Sequence, residues 1–532
     1  MPIRNYFYFH LFIFVIIVLF TEEIWPNSLL LIAQLVFIPV LFLAILDRHS
    51  TFKKMYPFIA IPTYVAVAWM SIFPSELDGV FAVFYFIFTL YIALYGIHRF
   101  FLRGFIHIEE FIIDIGLLSL PIGGIWLIAY TFDINTGFTP IITWLTAIHF
   151  HYSACIMLIF IGLLGRVSKR PTYLFIAPMM ALLPWMMAIG ITISPWIELV
   201  GIIFYILTVF MLFYYSLQTV YIAMIQKIFV SVSFFSICIT ICFASLYVLT
   251  TGFHFQLVTI DWMLIFHGFT NAVLFGFIGT VGWLMSIPSS RWQAPTFPLS
   301  PIRNKFKPKE ADEKLNGLVD HMELYEPFIN RQTVAKTIVD FYENTNTFTL
   351  KASIQWSPWF KPFAFIYRQL SRLLEQINLP ISSKQVEMTG NIYRVDEGNH
   401  GRNNVRAWVR KIKEEIVFVA LYSTHSDGIR TYMNIALPLP FTSMHGILAF
   451  IQHGEKIELT SVRKDETMND VGIYLAFGKN GYFRLPLTET FHLQEISPGK
   501  LYATHRMHIF KLPFLKITYN IMQNKGNTWD KT

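Results

Sequence analysis

Charge is the scarcest commodity in this 532-residue chain. Asp, Glu, Lys and Arg make up 14% of it, against about 25% in soluble domains. That deficit excludes a chain that is water-soluble throughout, and its distribution is uneven. Only ten of the 41 Lys/Arg and eleven of the 34 Asp/Glu fall in residues 1–290, so the net charge of +7 divides into −1 there and +8 in residues 291–532. Cysteine is nearly absent. Cys155, Cys238 and Cys242 all lie in apolar runs, which excludes a disulfide framework and leaves free thiols that behave as small packing residues. Catalytic strings are missing as well: there is no G-x-S-x-G, no Walker loop and no G-x-G-x-x-G. The +8 of the second part is spread out without a recognised nucleic-acid module, so nucleic acid is not expected as a partner.

What is present in abundance is hydrophobic sequence, 55% of the chain. Continuous apolar stretches run over 6–20, 28–46, 55–73, 79–97, 111–130, 141–164, 173–193, 199–217, 228–250 and 263–285. Most reach the roughly 20 residues that a helix needs to cross a bilayer core of about 30 Å. None alternates polar with apolar, so helices and not barrel strands are implied. The first follows Arg4 and lacks a small-residue cleavage site before Glu22, and reads as an uncleaved span. The second, fourth, sixth and eighth loops carry Arg48/Lys53/Lys54, Arg99/Arg103, Arg166/Lys169/Arg170 and Lys227. The loops between them (TEEIWPN, PSELD, TFDINTGFTP, SPWIE and TGFHFQLVTIDW) contain neither Lys nor Arg. Basic loops stay on the cytoplasmic side, so both termini are expected in the cytoplasm.

Polar side chains inside such spans are costly in lipid and mark the bundle interior. The sixth span opens LTAIHFHYS, with His149 and His151; the tenth opens DWMLIFHGFTNA, with His267 and Asn271. At 1.5 Å per residue these lie roughly 9–15 Å below the outer surface, and Gln34 and Trp126 fall near the same level. Together they form a candidate ligand-binding layer. His267 and Asn271 are four apart and share a helix face, whereas His149 and His151 sit about 200° apart on a regular helix. Two imidazoles from different spans could ligate haem iron or a transition metal, although no carboxylate is evident in that layer. The same groups would equally serve as hydrogen-bonding glue between spans. Asp114 is expected to cap its helix or to pair with an arginine such as Arg103. Pro121-Ile-Gly-Gly124 suggests a bent or closely packed helix.

Residues 291–310 read as a basic, Pro-rich linker, and 311–532 as a cytoplasmic domain. Helical stretches are expected at LNGLVDHMELYEPFI and FKPFAFIYRQLSRLLEQINL, with consecutive short strands from about residue 385. The implied fold class is an α-helical polytopic membrane bundle of about ten transmembrane helices, followed by a soluble α+β domain with a curved antiparallel sheet or partial barrel covered by the helices. Arg406, Trp408 and Arg410 share one strand face, either to hold an anionic headgroup against an aromatic plate or as the solvated side of the sheet. His505-x-x-His508 lies on a strand, where the two side chains diverge.

LTAIHFHYS (145–153), HGFTNAVLFGFIG (267–279), NVRAWVRK (404–411), MNIALPLP (433–440), RLPLTETF (484–491) and LYATHRMHIFKLPFL (501–515) resemble segments of the YndJ-like family of bacterial membrane proteins, and the likeness spans both halves. It implies a bacterial cell membrane location and makes His149, His151, His267 and Asn271 motif positions; it brings no assigned activity. Three functions remain open: binding or transport of an amphipathic small molecule or lipid at the intramembrane layer, with the sheet domain as an accessory; an intramembrane enzyme with a His-based metal or haem site; and a membrane sensor or scaffold.

Overall fold

The computed structural model describes residues 3–22, 24–47, 50–253, 255, 257–304, 313–374, 378–397, 402–413, 415–478 and 481–524. Arg48 and the 305–310 end of the expected linker lie outside them. The chain divides into two compact units, Met1–Phe100 with Phe105–Trp292, and Phe101–Gly104 with Gln293–Thr532.

The first unit is built on ten helices long and apolar enough to span a membrane: α1 (Ile3–Phe20), α2 (Ser28–Ile45), α3 (Thr51–Ile72), α4 (Asp78–Arg103), α5 (Ile108–Thr131), α6 (Pro140–Val167), α7 (Tyr173–Ile193), α8 (Pro195–Gln218), α9 (Met224–Phe253) and α10 (Ile260–Met285). Each coincides with one of the apolar stretches to within a residue or contains it. The centre is formed by α2 and α6, whose most apolar windows are 83% buried. Small residues let backbones close in, as expected where lipid offers no hydrophobic drive between helices. A Cβ on Gly123 of α5 would sit 2.7 Å from the His151 ring of α6, and one on Gly162 would sit 2.7 Å from the Glu109 carbonyl.

At the end of the bundle that carries the basic loops, α4, α5 and α6 are joined by buried charge. Glu110 accepts from Arg99 Nη2 at 2.6 Å and from Arg166 Nε and Nη2, both at 2.8 Å. Arg99 Nε also lies 2.7 Å from Asp114 Oδ1. Asp114 thus pairs with Arg99, the arginine of the preceding span. Ionised groups persist at this depth because each faces an opposite charge inside the bundle.

The second unit contains the antiparallel strands β1 (Lys314–Leu315), β2 (Phe348–Trp356), β3 (Val386–Arg394), β4 (Arg406–Ile412), β5 (Glu415–Ser426), β6 (Thr431–Leu439), β7 (Thr442–His453), β8 (Lys456–Thr460), β9 (Gly472–Phe477), β10 (Gly481–Arg484), β11 (Leu487–Ser497), β12 (Lys500–Ile509) and β13 (Leu512–Gln523). The expected curved sheet or partial barrel is corrected here, because the sheet closes fully on itself. From β7 the order runs through β6, β5, β4, β3, β2, β13, β12, β11 and β8 back to β7, a ten-strand ring. Closure depends on β7, which is long enough to pair β9 along Thr442–Ile447 and β8 along Ala449–His453. The ring also needs β2, which lies upstream of the strands expected from residue 385 and bridges β3 and β13.

Alternating residues of each strand point into the barrel, among them Leu350, Ala352 and Ile354 of β2 and Leu515, Ile517, Tyr519 and Ile521 of β13. Within the segment 315–329, expected to be helical, the described structure is a single 3-10 turn, Met322–Tyr325. The described α-helices of this unit are α11 (Lys336–Glu343) and α12 (Lys361–Leu374). Leu318, Tyr325 and Tyr342 join the interior cluster, with Tyr325 and Tyr342 against Phe450 of β7. Arg406 holds this covering segment by an ion pair to Asp320 and a 2.8 Å bond to the Gly317 carbonyl. The Arg406/Trp408/Arg410 face is therefore the inner face of β4 and not its solvated side.

Candidate ligand-binding site

Four π-helical segments are described, all in three spans: Ala33–Phe37 in α2, Phe150–Ile156 in α6, and Met263–Gly268 and Asn271–Ile278 in α10. Gln34, His151, His267 and Asn271 each lie within one, and His149 immediately precedes the segment that holds His151. A π-helical turn widens the helix, frees backbone carbonyls from their ordinary partners and recurs at functional positions. His267 Nδ1 lies 2.9 Å from the Thr240 carbonyl of α9, and the Thr240 hydroxyl donates to Asn271 Oδ1 at 2.9 Å. One residue of α9 thereby fixes both polar groups of α10.

His149 sets its Nδ1 2.8 Å from its own Leu145 carbonyl, leaving Nε2 directed away from the helix. Its ring centroid is 6.3 Å from that of His267. The two imidazoles from α6 and α10 flank adjoining cavities of about 210 and 450 Å³, and both cavities also touch Tyr152, Ser153 and Asn271. Trp126 lines the smaller one and packs on Phe138 at 6.0 Å. The remaining walls are predominantly apolar, with a few threonines such as Thr146, which is the usual make-up of a small-molecule pocket.

Two candidates lie elsewhere. His151 is fully buried, with Nδ1 2.7 Å from the Ala147 carbonyl, Nε2 2.5 Å from the Tyr85 hydroxyl and its ring stacked on Tyr85. Even with the π-helical turn, the two-residue offset sends His149 and His151 to different sides of α6. Gln34 lines a separate cavity of about 550 Å³, alongside Asn27, Asp78, Thr131 and Trp144. Its Nε2 is buried without a hydrogen-bond partner among the described residues.

Residues 28–275 match the family model described as YndJ-like protein. A relative from Bacillus subtilis (strain 168), described as an uncharacterized membrane protein YndJ, is 34% identical over 523 residues, covering 93% of each chain. The chain belongs to the YndJ-like family. No solved structure matches it.

In this YndJ-like protein the structure adds a group that sequence reading placed in a loop. Glu198, from the SPWIE segment, occupies the first turn of α8, is buried against the Gly190 backbone of α7 and lines the larger cavity with His149 and His267. The larger cavity therefore does contain a carboxylate. Only the position of α8 against α7 reveals it; in the sequence Glu198 is one residue among five between two apolar runs. Among the described residues the one cluster with three metal-ligand atoms within 4.8 Å of one another is His321, Glu323 and Glu343, outside the bundle. Arg331 pairs with both of those glutamates.

Proposed function

We propose that this protein binds, or moves, an amphipathic small molecule or lipid in the cavities between α6, α8, α9 and α10, with His149, His267 and Asn271 as the polar contacts and Trp126 on the wall. The observation that carries this reading is the pairing of His149 with His267 across two spans at the edge of space large enough for a ligand. A pair serving only to glue helices would be expected to bond each other or to fill the gap. Here each ring is anchored through Nδ1 to a carbonyl, so its other nitrogen can serve the cavity. Glu198 is a further polar contact in the larger cavity. The absence of Lys and Arg from alternate loops supports placing this site in the outer half of the bilayer and both termini in the cytoplasm.

The test is co-purification. Wild-type protein and the His267→Ala and Asn271→Ala variants are extracted into nanodiscs from the same membranes, and bound small molecules are identified by mass spectrometry. The expected result is a species retained by the wild type and lost from both variants, with melting temperatures that show folded protein. Unchanged species at unchanged stoichiometry in folded variants would remove the site.

A further inference from the structure

A membrane-embedded cavity accounts for the first unit and leaves the second without a task, although its barrel has an unusual interior. Domain cores are close-packed, with few voids larger than a water molecule. This barrel encloses about 140 Å³, close to the roughly 150 Å³ apolar cavity that admits benzene in an engineered protein. Met388, Met433, Met444 and Met507 reach it from four strands. Methionine is unbranched and polarisable, and adapts to guests of different shape.

The decisive group is Arg410. It projects from β4 into the chamber, with its guanidinium carbon 4.5 Å from the Trp408 ring centroid and 4.0 Å from that of Phe418. Among the described residues its Nε is buried without a hydrogen-bond partner, and no carboxylate forms an ion pair with it. The carboxylate that lines the chamber, Glu489, accepts from His505 Nε2 at 3.0 Å. Tyr519 of β13 supplies a phenol beside the guanidinium. Arg410 as a whole is half-buried, but a cation turned into an apolar chamber with no described ion-pair partner is costly, and nothing in the packing of an apolar barrel requires one. A planar guanidinium stacked on aromatic faces, with its buried Nε still to be satisfied and a tyrosine hydroxyl beside it, matches a carboxylate.

We propose that the barrel is a second, separate binding site, a chamber for a single-chain monocarboxylate of about six to ten carbons. The carboxylate sits on Arg410 and Tyr519, and the chain lies among the methionines. This site does not rest on the bundle cavity; the two stand or fall separately.

The probe is a diazirine-bearing octanoic acid, photolysed with full-length protein in nanodiscs and mapped by peptide mass spectrometry, with the matching alcohol as control. The acid is expected to label inward-facing residues of the barrel strands and to be competed by octanoate. Arg410→Met should lower that labelling by about tenfold or more, the factor that 1.4 kcal/mol represents, and leave the alcohol unaffected. Met433→Trp fills the chamber and should abolish labelling by both probes at unchanged melting temperature, which guards against a misfolded Arg410 variant. His267→Ala should change nothing in the barrel. Label confined to the membrane spans or the outer barrel surface would overturn the proposal. So would equal labelling of Arg410→Met and wild type, or of acid and alcohol.

Discussion

The charge cluster that ties α4, α5 and α6 together makes a sharp prediction about stability. Glu110→Gln keeps the length and shape of the side chain but removes the negative charge shared by Arg99 and Arg166. Glu110 is 1% exposed and its partners 2% and 5%, so water cannot replace what is lost. Stranding one member of a buried pair costs about 3–5 kcal/mol. Asp114 still faces Arg99 after the substitution, so the uncompensated charge falls on Arg166. Arg166 keeps a 3.1 Å bond to the Pro288 carbonyl. The expected loss is therefore at the lower end, about 3 kcal/mol. The assay is equilibrium unfolding in mixed micelles titrated with SDS, followed by near-ultraviolet circular dichroism. Glu109→Gln is the control, because its partner Lys169 is 28% exposed and keeps access to water; its cost should be clearly smaller. Glu110→Gln combined with Arg166→Gln should recover part of the loss, since the stranded cation is then gone. A Glu110→Gln variant within about 1 kcal/mol of wild type, the value of an exposed pair, with no recovery in the double variant, would refute the assignment of buried, mutually dependent charges.

Two further outcomes are expected. Tyr85→Phe leaves His151 Nε2 without its partner in a fully buried position, and should cost about 1–3 kcal/mol by the same unfolding assay, without altering the species retained by the bundle cavity. In the barrel unit, burial first, and then the charges of Arg402 and Arg303, hold the His445 imidazole well below its ordinary value. The folded form thus excludes a proton that the unfolded chain takes up below about pH 6.5. The stability contributed by neutral His445 is complete above that pH. It falls by up to about 1.4 kcal/mol for each pH unit below it, until the folded pKa is reached. Thermal melts of the full chain at pH 7.5 and 5.5 should show a larger acid-induced drop for wild type than for His445→Asn. An equal drop in both would mean that His445 is not the group responsible.

The legibility of the candidate site in the sequence depended on which physical rule applied. His267 and Asn271 were readable as a pair because a spacing of four places both on one helix face, and they do line the same cavities. His149 and His151 were readable as divergent for the same reason, but which of the two faces the cavity follows from the packing of Tyr85 and Gly123 against His151. Those contacts lie far away in the chain. Glu198 was invisible for a related reason. A carboxylate at the end of an apolar run has no periodic signal, and its role depends on the neighbouring helix.

The sequence by itself determined the ten spans, because transfer of an apolar run of about 20 residues into lipid is a property of that run alone. It also determined the strand content of the second unit after residue 385, through alternation and turn residues. Tertiary structure alone decided that these strands close. A strand's pattern says that one face is buried, but not which edge it pairs with, and the ring is completed by β2 meeting β13 and β8 meeting β11. Closure converts the Arg406/Trp408/Arg410 face from an outer surface into an interior wall, and so turns Arg410, a common surface residue type, into a half-buried cation lacking a described carboxylate partner. Long-range pairing carries that information, and no local rule of composition or periodicity contains it.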